Sequence, residues 1–254
     1  MLRTNRLKRA LGEQREVYGV LASLPTPASI ELIAEAGFDF VVIDTEHVLI
    51  NPETVEHMIR TAESYGLTPL VRVADDNPKT LLRLLDGGAQ GIVLPSVEDP
   101  ERLAAAVRAC KYAPQGTRSL NAGRPGAFGK HSLAEYVQKA NDEILVVAMI
   151  ESRAGVERID ELCAVDGLDL VLEGAADLSQ SLGVSWQTSH PEVLKALCRV
   201  QQCAADHGLP YAAFLRHAGA KAEWRERGVR TFLLGDERGI AFRALARTLE
   251  EARR

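Results

Sequence analysis

Residues 37–73 read GFDFVVIDTEHVLINPETVEHMIRTAESYGLTPLVRV, and this stretch decides the fold. Phe40–Asp44 is a short run of branched and aromatic residues, the composition of a strand covered on both faces. Asn51-Pro52 follows. Asparagine accepts from the first free amides of a helix, and proline suits the first helical position because its missing N–H has no helical partner there. Glu53–Tyr65 then keeps helical periodicity, and Gly66 ends it where positive φ is wanted. Pro69–Val73 is again strand-like. Strand, loop, helix and strand in this order make a unit whose two strands run parallel.

The unit repeats on both sides. Thr26-Pro27, Asn77-Pro78 and Asp99-Pro100 open helix-period stretches at Ala28–Ala36, Lys79–Leu85 and Glu101–Lys111, with Gly37 and Gly87 as terminators. Val17–Leu24 and Gly91–Pro95 supply the matching strands, so the period is about 22 to 29 residues. In the second half, strand-like runs at Ile144–Glu151, Leu168–Glu173, Pro210–Leu215 and Thr231–Leu234 precede helical patterns at Ala154–Cys163, Pro191–His207, Gly219–Arg227 and Gly239–Ala252. Eight alternating units without a linker predict an α/β chain folded as a single (β/α)8 TIM barrel domain over residues 1–254. A short amphipathic helix at about 2–14, carrying Leu2, Leu7 and Leu11, is expected to lie against the body. The Gly- and Pro-rich stretch at about 112–143 is expected to be a long loop, serving as a lid or a subunit contact.

Composition narrows the class. The chain has 254 residues, 46% of them hydrophobic, and a net charge of −5, without the basic excess of a nucleic-acid binder. Its longest apolar run, Ile144–Ile150, is far short of the roughly 20 residues that cross a bilayer. The basic N-terminus lacks the apolar core of a secretory signal, so a cytoplasmic protein is expected. Cys110, Cys163, Cys198 and Cys203 have no CxxC spacing and read as buried free thiols.

In a barrel, chemistry sits at the C-terminal ends of the strands. Those positions hold Asp44, Glu46 and His47 after the second strand, Arg72 in the third, Glu151 after the fifth, Glu173 and Asp177 after the sixth, and Arg216 and His217 after the seventh. Arg72, between two valines, is either a buried salt bridge or a bidentate binder of a carboxylate or enolate. His47 is either a loop residue or an acid–base group oriented by Glu46 and Asp44. Glu151 and Asp177 are strand-end and helix-cap residues, or a carboxylate pair for a hard divalent cation. His57, His131 and His207 read as surface residues. Asp236 reads as the cap of the last helix, where two acids argue against a phosphate site.

The ordered set AGFDFVVIDTEH (36–47), LVRV (70–73), LLDGGAQGIVLP (84–95), YAPQGTRS (112–119), IES (150–152) and GAADLSQSLG (174–183) resembles the HpcH/HpaI aldolase family of the phosphoenolpyruvate/pyruvate barrel superfamily. The resemblance implies that His47 is catalytic, that Arg72 binds and polarises a keto-acid oxygen, and that Glu151 and Asp177 ligate metal. It implies that backbone N–H groups of Gly174, Ala175 and Ala176 hold the substrate carboxylate. It also implies homo-oligomers, dimers that exchange the last helix or hexamers.

Against the aldolase pattern, Met149 replaces a glutamine, Ala175 a proline, Glu173 an apolar residue and Ser119 a glycine. With DTEHVLINPET (44–54), RLLDGGAQGIV (83–93), LEGAADLSQSLG (172–183) and LLGDERGIAFRA (233–244), the chain resembles more narrowly the siderophore-biosynthesis citrate synthases of the staphyloferrin B type. That implies condensation of oxaloacetate with acetyl-CoA and no required cofactor, with Glu151 or Asp177 as base. The alternative is a class II aldolase using Mg²⁺ or Mn²⁺ to release pyruvate from a 2-keto-3-deoxy acid. A non-enzymatic keto-acid sensor is the third reading.

Overall fold

The computed structural model describes residues 3–130 and 132–254; Leu2 and His131 lie outside the described residues. Eight strands close into a parallel barrel in sequence order. They are β1 Val17–Ala22, β2 Phe40–Asp44, β3 Thr68–Arg72, β4 Gly91–Leu94, β5 Leu145–Ile150, β6 Leu170–Glu173, β7 Tyr211–Phe214 and β8 Thr231–Asp236. The helices are α1 Arg6–Gly12, α2 Pro27–Glu35, α3 Pro52–Tyr65, α4 Pro78–Gly87, α5 Pro100–Cys110, α6 Leu133–Glu143, α7 Arg153–Glu157, α8 Ile159–Cys163, α9 Ala175–Ser181, α10 Pro191–Asp206, α11 Ala220–Glu226 and α12 Glu237–Ala252. The (β/α)8 TIM barrel expected from the alternation is the fold observed. No helix among the described residues is long and apolar enough to cross a membrane.

The proline-marked starts do the capping the sequence assigned to them. Thr26, Asn51, Asn77 and Asp99 each accept from a first-turn amide, and Asp236 caps α12 the same way. Each cap satisfies one orphan N–H at the barrel mouth, Asp99 two, and fixes where the loop ends. Glu237 accepts from the Ser23 and Leu24 amides and from Ser29 Oγ, so its carboxylate ties the start of α12 to the loop after β1.

Strand alternation divides the core in two. Val41, Ile43, Val71, Ile92, Val146, Ala148, Ile150 and Val171 face the helices. Phe40, Val42, Leu70, Val93, Leu145, Val147, Met149, Leu170, Leu172, Ala212 and Leu233 fill the barrel. The same parity sends Asp44, Arg72 and Glu151 inward, in the layer above the apolar ones.

Four expectations need correction. The N-terminal helix is shorter than 2–14, and it does more than lie on the surface: Leu7 and Ala10 pack into the barrel interior from its lower end. Ala154–Cys163 is two short helices, α7 and α8. Gly87 is the last residue of the fourth helix, and the terminator with positive φ is the next residue, Gly88, at φ +112°. The stretch 112–143 is not a plain loop. It holds a 3₁₀ turn at Arg124–Gly129 and α6, which opens with a capping box between Ser132 and Glu135. Because it joins the end of α5 to the start of β5, it lies opposite the mouth and is no lid. Arg118 stacks 4.6 Å from the Tyr112 ring centroid and pairs with Asp86.

Candidate active site

Three inward side chains at the C-terminal ends of β2, β3 and β5 build the centre. Asp44 and Arg72 are register partners. Asp44 Oδ1 accepts from Arg72 Nε at 3.1 Å and Oδ2 from Nη2 at 2.8 Å, a bidentate pair in which both residues are buried. Burial by itself would raise the Asp44 pKa, but the Arg72 hydrogen bonds and charge outweigh it and hold the group below the ordinary carboxylate value. Arg72 is correspondingly raised, its desolvation outweighed by Asp44. Asp44 also accepts from the Glu46 and His47 amides, which folds the loop after β2 over the pair.

This leaves Nη1 of Arg72 pointing into the mouth. It lies 3.2 Å from Glu46 Oε2 and 3.9 Å from Met149 Sδ. Glu46 Oε2 is buried and has no hydrogen-bond partner. Desolvation raises the Glu46 pKa, partly offset by Arg72. His47 is exposed, with Nε2 3.8 Å from Glu46 Oε2.

Glu151 sits on the far side of the guanidinium and is 4% exposed. Its Oε1 accepts from the Ser96 amide at 2.6 Å and from Ser96 Oγ at 3.3 Å. Burial pushes Glu151 up to about 7, with the charges of Glu46 and Asp177 adding to the effect. Ser96 holds φ +49°, an unusual backbone conformation for a non-glycine residue, at the end of β4. Sequence reading missed Ser96; nothing in its type or spacing marks a strained serine. The wall opposite is Gly174: a Cβ there would stand 2.4 Å from both Cβ and Oε2 of Glu151. Gly174 has to be glycine for Glu151 to be where it is.

Gly174 donates its own N–H to Ile150 O at 3.1 Å, so that amide is engaged in the barrel ladder. Ala175 and Ala176 open α9, which has no side-chain cap, and Asp177 stands exposed in its first turn. Glu173, counted from sequence as an addition to the polar shell around Glu151 and Asp177, is not part of it. By parity it faces the helices, fully buried, accepting from the Tyr211 hydroxyl at 2.9 Å and the Phe214 amide at 2.8 Å, and paired with Arg216. Arg216 is thereby tied to Glu173, while His217 stands exposed. The centre therefore sets Arg72 against four carboxylates, Asp44, Glu46, Glu151 and Asp177. A surplus of negative charge is relieved either by a proton on a raised carboxyl or by a bound cation. Glu151 and Asp177 are hard oxygen donors of the kind that fit Mg²⁺ or Mn²⁺. A cavity of about 320 Å³ opens beside the centre, lined by Glu46, Pro95, Ser96, Asp76 and Arg102 among others.

Comparison with known proteins places the chain among enzymes of one family. A citrate synthase, SbnG, has a crystal structure that superposes with a TM-score of 0.91, at 43% identity and with 97% of each chain covered. The 5-keto-4-deoxy-D-glucarate aldolase of Citrobacter koseri is 31% identical over 249 residues, 98% of this chain and 96% of its own. The hydroxypyruvate/pyruvate aldolase of Sagittula stellata is 36% identical over 193 residues, 76% of either chain. The model of the HpcH/HpaI aldolase/citrate lyase family matches residues 18–242, and the chain belongs to that family of enzymes.

Proposed function

We propose that the protein is a citrate synthase that condenses oxaloacetate with acetyl-CoA, supplying citrate for siderophore biosynthesis. The observation that carries this reading is the placement of Glu151, a buried carboxyl fixed by Ser96 on one oxygen and set beside Arg72. Such a group takes a proton from the acetyl methyl without help from a metal. The 43% identity to a citrate synthase over nearly the whole chain supports it.

Arg72 Nη1, the one nitrogen free of Asp44, binds the 2-keto oxygen of oxaloacetate and steadies the alkoxide that forms there. The Ala175 and Ala176 amides receive a substrate carboxylate, and His47 at the rim polarises the ketone. Glu151 takes the methyl proton as the new C–C bond forms; the alkoxide gains a proton, and water then cleaves the thioester, releasing CoA thiol and citrate. Asp177, exposed, adds negative charge that helps keep Glu151 high. The cavity beside Ser96 leaves room for the acetyl arm.

The second reading is a metal-dependent aldolase, favoured by the carboxylate surplus and by the aldolases among the relatives. There Glu151 and Asp177 would hold Mg²⁺ or Mn²⁺, whose charge stabilises a pyruvate enolate. Free-thiol release from acetyl-CoA plus oxaloacetate, measured beside pyruvate release from 4-hydroxy-2-oxo acids, with and without EDTA, separates the two. Thiol release that survives EDTA is expected. Pyruvate release without any thiol signal, lost on chelation, would overturn the synthase reading.

The proposal includes a homo-oligomer, dimer or hexamer, in which α12 exchanges between copies. Within one chain α12 buries no residue, and it presents Phe242, Leu245 and Leu249 to solvent.

A further inference from the structure

Away from the mouth, the helical ring holds a second cluster of chemically capable side chains. On α8, Asp160 and Cys163 are three residues apart; on α10, Cys203 lies four residues before His207, which follows the last residue of the helix. Spacings of three and four place each pair on one helix face. The two faces meet. His207 Nε2 is 2.8 Å from Asp160 Oδ1, and Cys203 Sγ is 3.7 Å from the same oxygen. Ligand atoms of Asp160, Cys203 and His207 all lie within 4.8 Å of one another. Among the described residues this is the one group of three or more His, Cys, Asp or Glu side chains that converges so closely. The thiol of Cys163, 5% exposed, interacts with that of Cys203 from the buried side and stands outside that close group of three, so a rotation toward it would complete the set. Sequence reading took these cysteines as inert and His207 as a surface residue. Cys203 is instead half-buried against α8, while His207 is exposed, as its sequence reading had it.

We propose that Asp160, Cys163, Cys203 and His207 form a tetrahedral site for a thiophilic divalent cation, zinc being the ion whose ligand preferences match. Two sulfurs, one imidazole nitrogen and one carboxylate oxygen make a closed four-ligand set of structural type. Zinc bonds of about 2.0–2.3 Å require ligand atoms about 3.3–3.8 Å apart at tetrahedral angles. The Cys203–Asp160 distance already lies in that range. The His207–Asp160 contact has only to open by the swing of an exposed carboxylate. Burial pushes the Cys163 thiol up to about 12 and raises that of Cys203, so both are protonated without metal. Binding therefore releases two thiol protons to solvent and leaves two thiolates on the ion. The cation would staple α8 to α10 on the outside of the ring, where both helices run into the starts of β6 and β7. That is the end of the barrel opposite Arg72 and Glu151, and a soft donor set rather than a hard one.

The test is Co²⁺ titration of the chelator-stripped protein, followed by absorption. The expected result is one equivalent bound with a near-ultraviolet thiolate-to-cobalt charge-transfer band, erased by an equivalent of Zn²⁺. Glu151→Gln should keep the band, and Cys203→Ser should remove it. His207→Ala, on the solvent side, should weaken Co²⁺ binding at least tenfold while the fold is retained by circular dichroism. Cobalt binding without a charge-transfer band would overturn the proposal, as would a band unchanged in both Cys203→Ser and His207→Ala, or one lost in Glu151→Gln.

Discussion

Arg72 and Asp44 face each other across adjacent strands and share two hydrogen bonds, so the residue proposed to bind the keto acid is also an internal brace of the barrel. The two interpretations left open by its sequence, salt bridge and keto-acid binder, are not alternatives. Two of its nitrogens serve the first and the third is left for the second.

Replacing Arg72 by alanine should therefore damage folding as well as turnover. Asp44 would stay buried without its partner, a loss of about 3–5 kcal/mol. Arg72→Lys keeps the charge but cannot span both Asp44 oxygens and still reach the mouth. Its kcat/KM should fall at least about 10²-fold, with a smaller drop in melting temperature than for alanine. His47→Ala is the contrast: the side chain is exposed, so activity should fall while the urea midpoint stays put. Unaltered stability in Arg72→Ala would contradict the bracing role.

Glu151 makes a pH prediction in two directions. A carboxyl shifted up to about 7 binds its proton more tightly folded than unfolded, so it lowers stability as pH rises from about 4.5 through 7. The loss is of order 3 kcal/mol when complete. Glu151→Gln should be more stable than the parent at pH 8, indistinguishable near pH 4.5, and nearly inactive. In the parent, kcat/KM should climb through about pH 7 as the base ionises. A flat profile across that range would remove Glu151 from the base role.

Gly174→Ala tests packing rather than charge. The backbone there has φ −129°, open to any residue, so strain in the turn is not the issue. The added methyl must displace Glu151. A destabilisation of about 1–3 kcal/mol and a collapse of turnover are expected from denaturant melts and steady-state rates. Wild-type kinetics in this variant would mean that Glu151 is not where its role requires.

For assembly, Phe242→Glu with Leu245→Glu places charge on the exposed apolar face of α12. Light scattering on the eluted protein should report a smaller species than the parent. The same oligomer in both would exclude α12 as the joint.

Most of the barrel was legible because its local signals agree. Asn51-Pro52 and its three counterparts cap as their chemistry demands, and Asp44, Arg72 and Glu151 follow the period-two count inward. Glu173 was misplaced although the same parity, carried on from Leu172, turns it outward. Chemistry at a strand end drew it into a site that geometry denies it. Ser96 could not have been read, since its role depends on a positive φ that no neighbouring residue announces. The helix α6 was hidden by the glycines and prolines before it, although Ser132 and Glu135 spell its start.

The plug formed by Leu7 and Ala10, with the apolar layers stacked above it, leaves the barrel with one door. Everything that reacts here enters and leaves by the rim around His47 and Asp177. For a condensation of a small keto acid with a bulky thioester, one door imposes a queue. In the proposed condensation the keto acid would reach Arg72 only while the rim is clear, and the thioester would then close the way behind it. Traffic through the site is ordered by the floor of the barrel, at the end farthest from the chemistry.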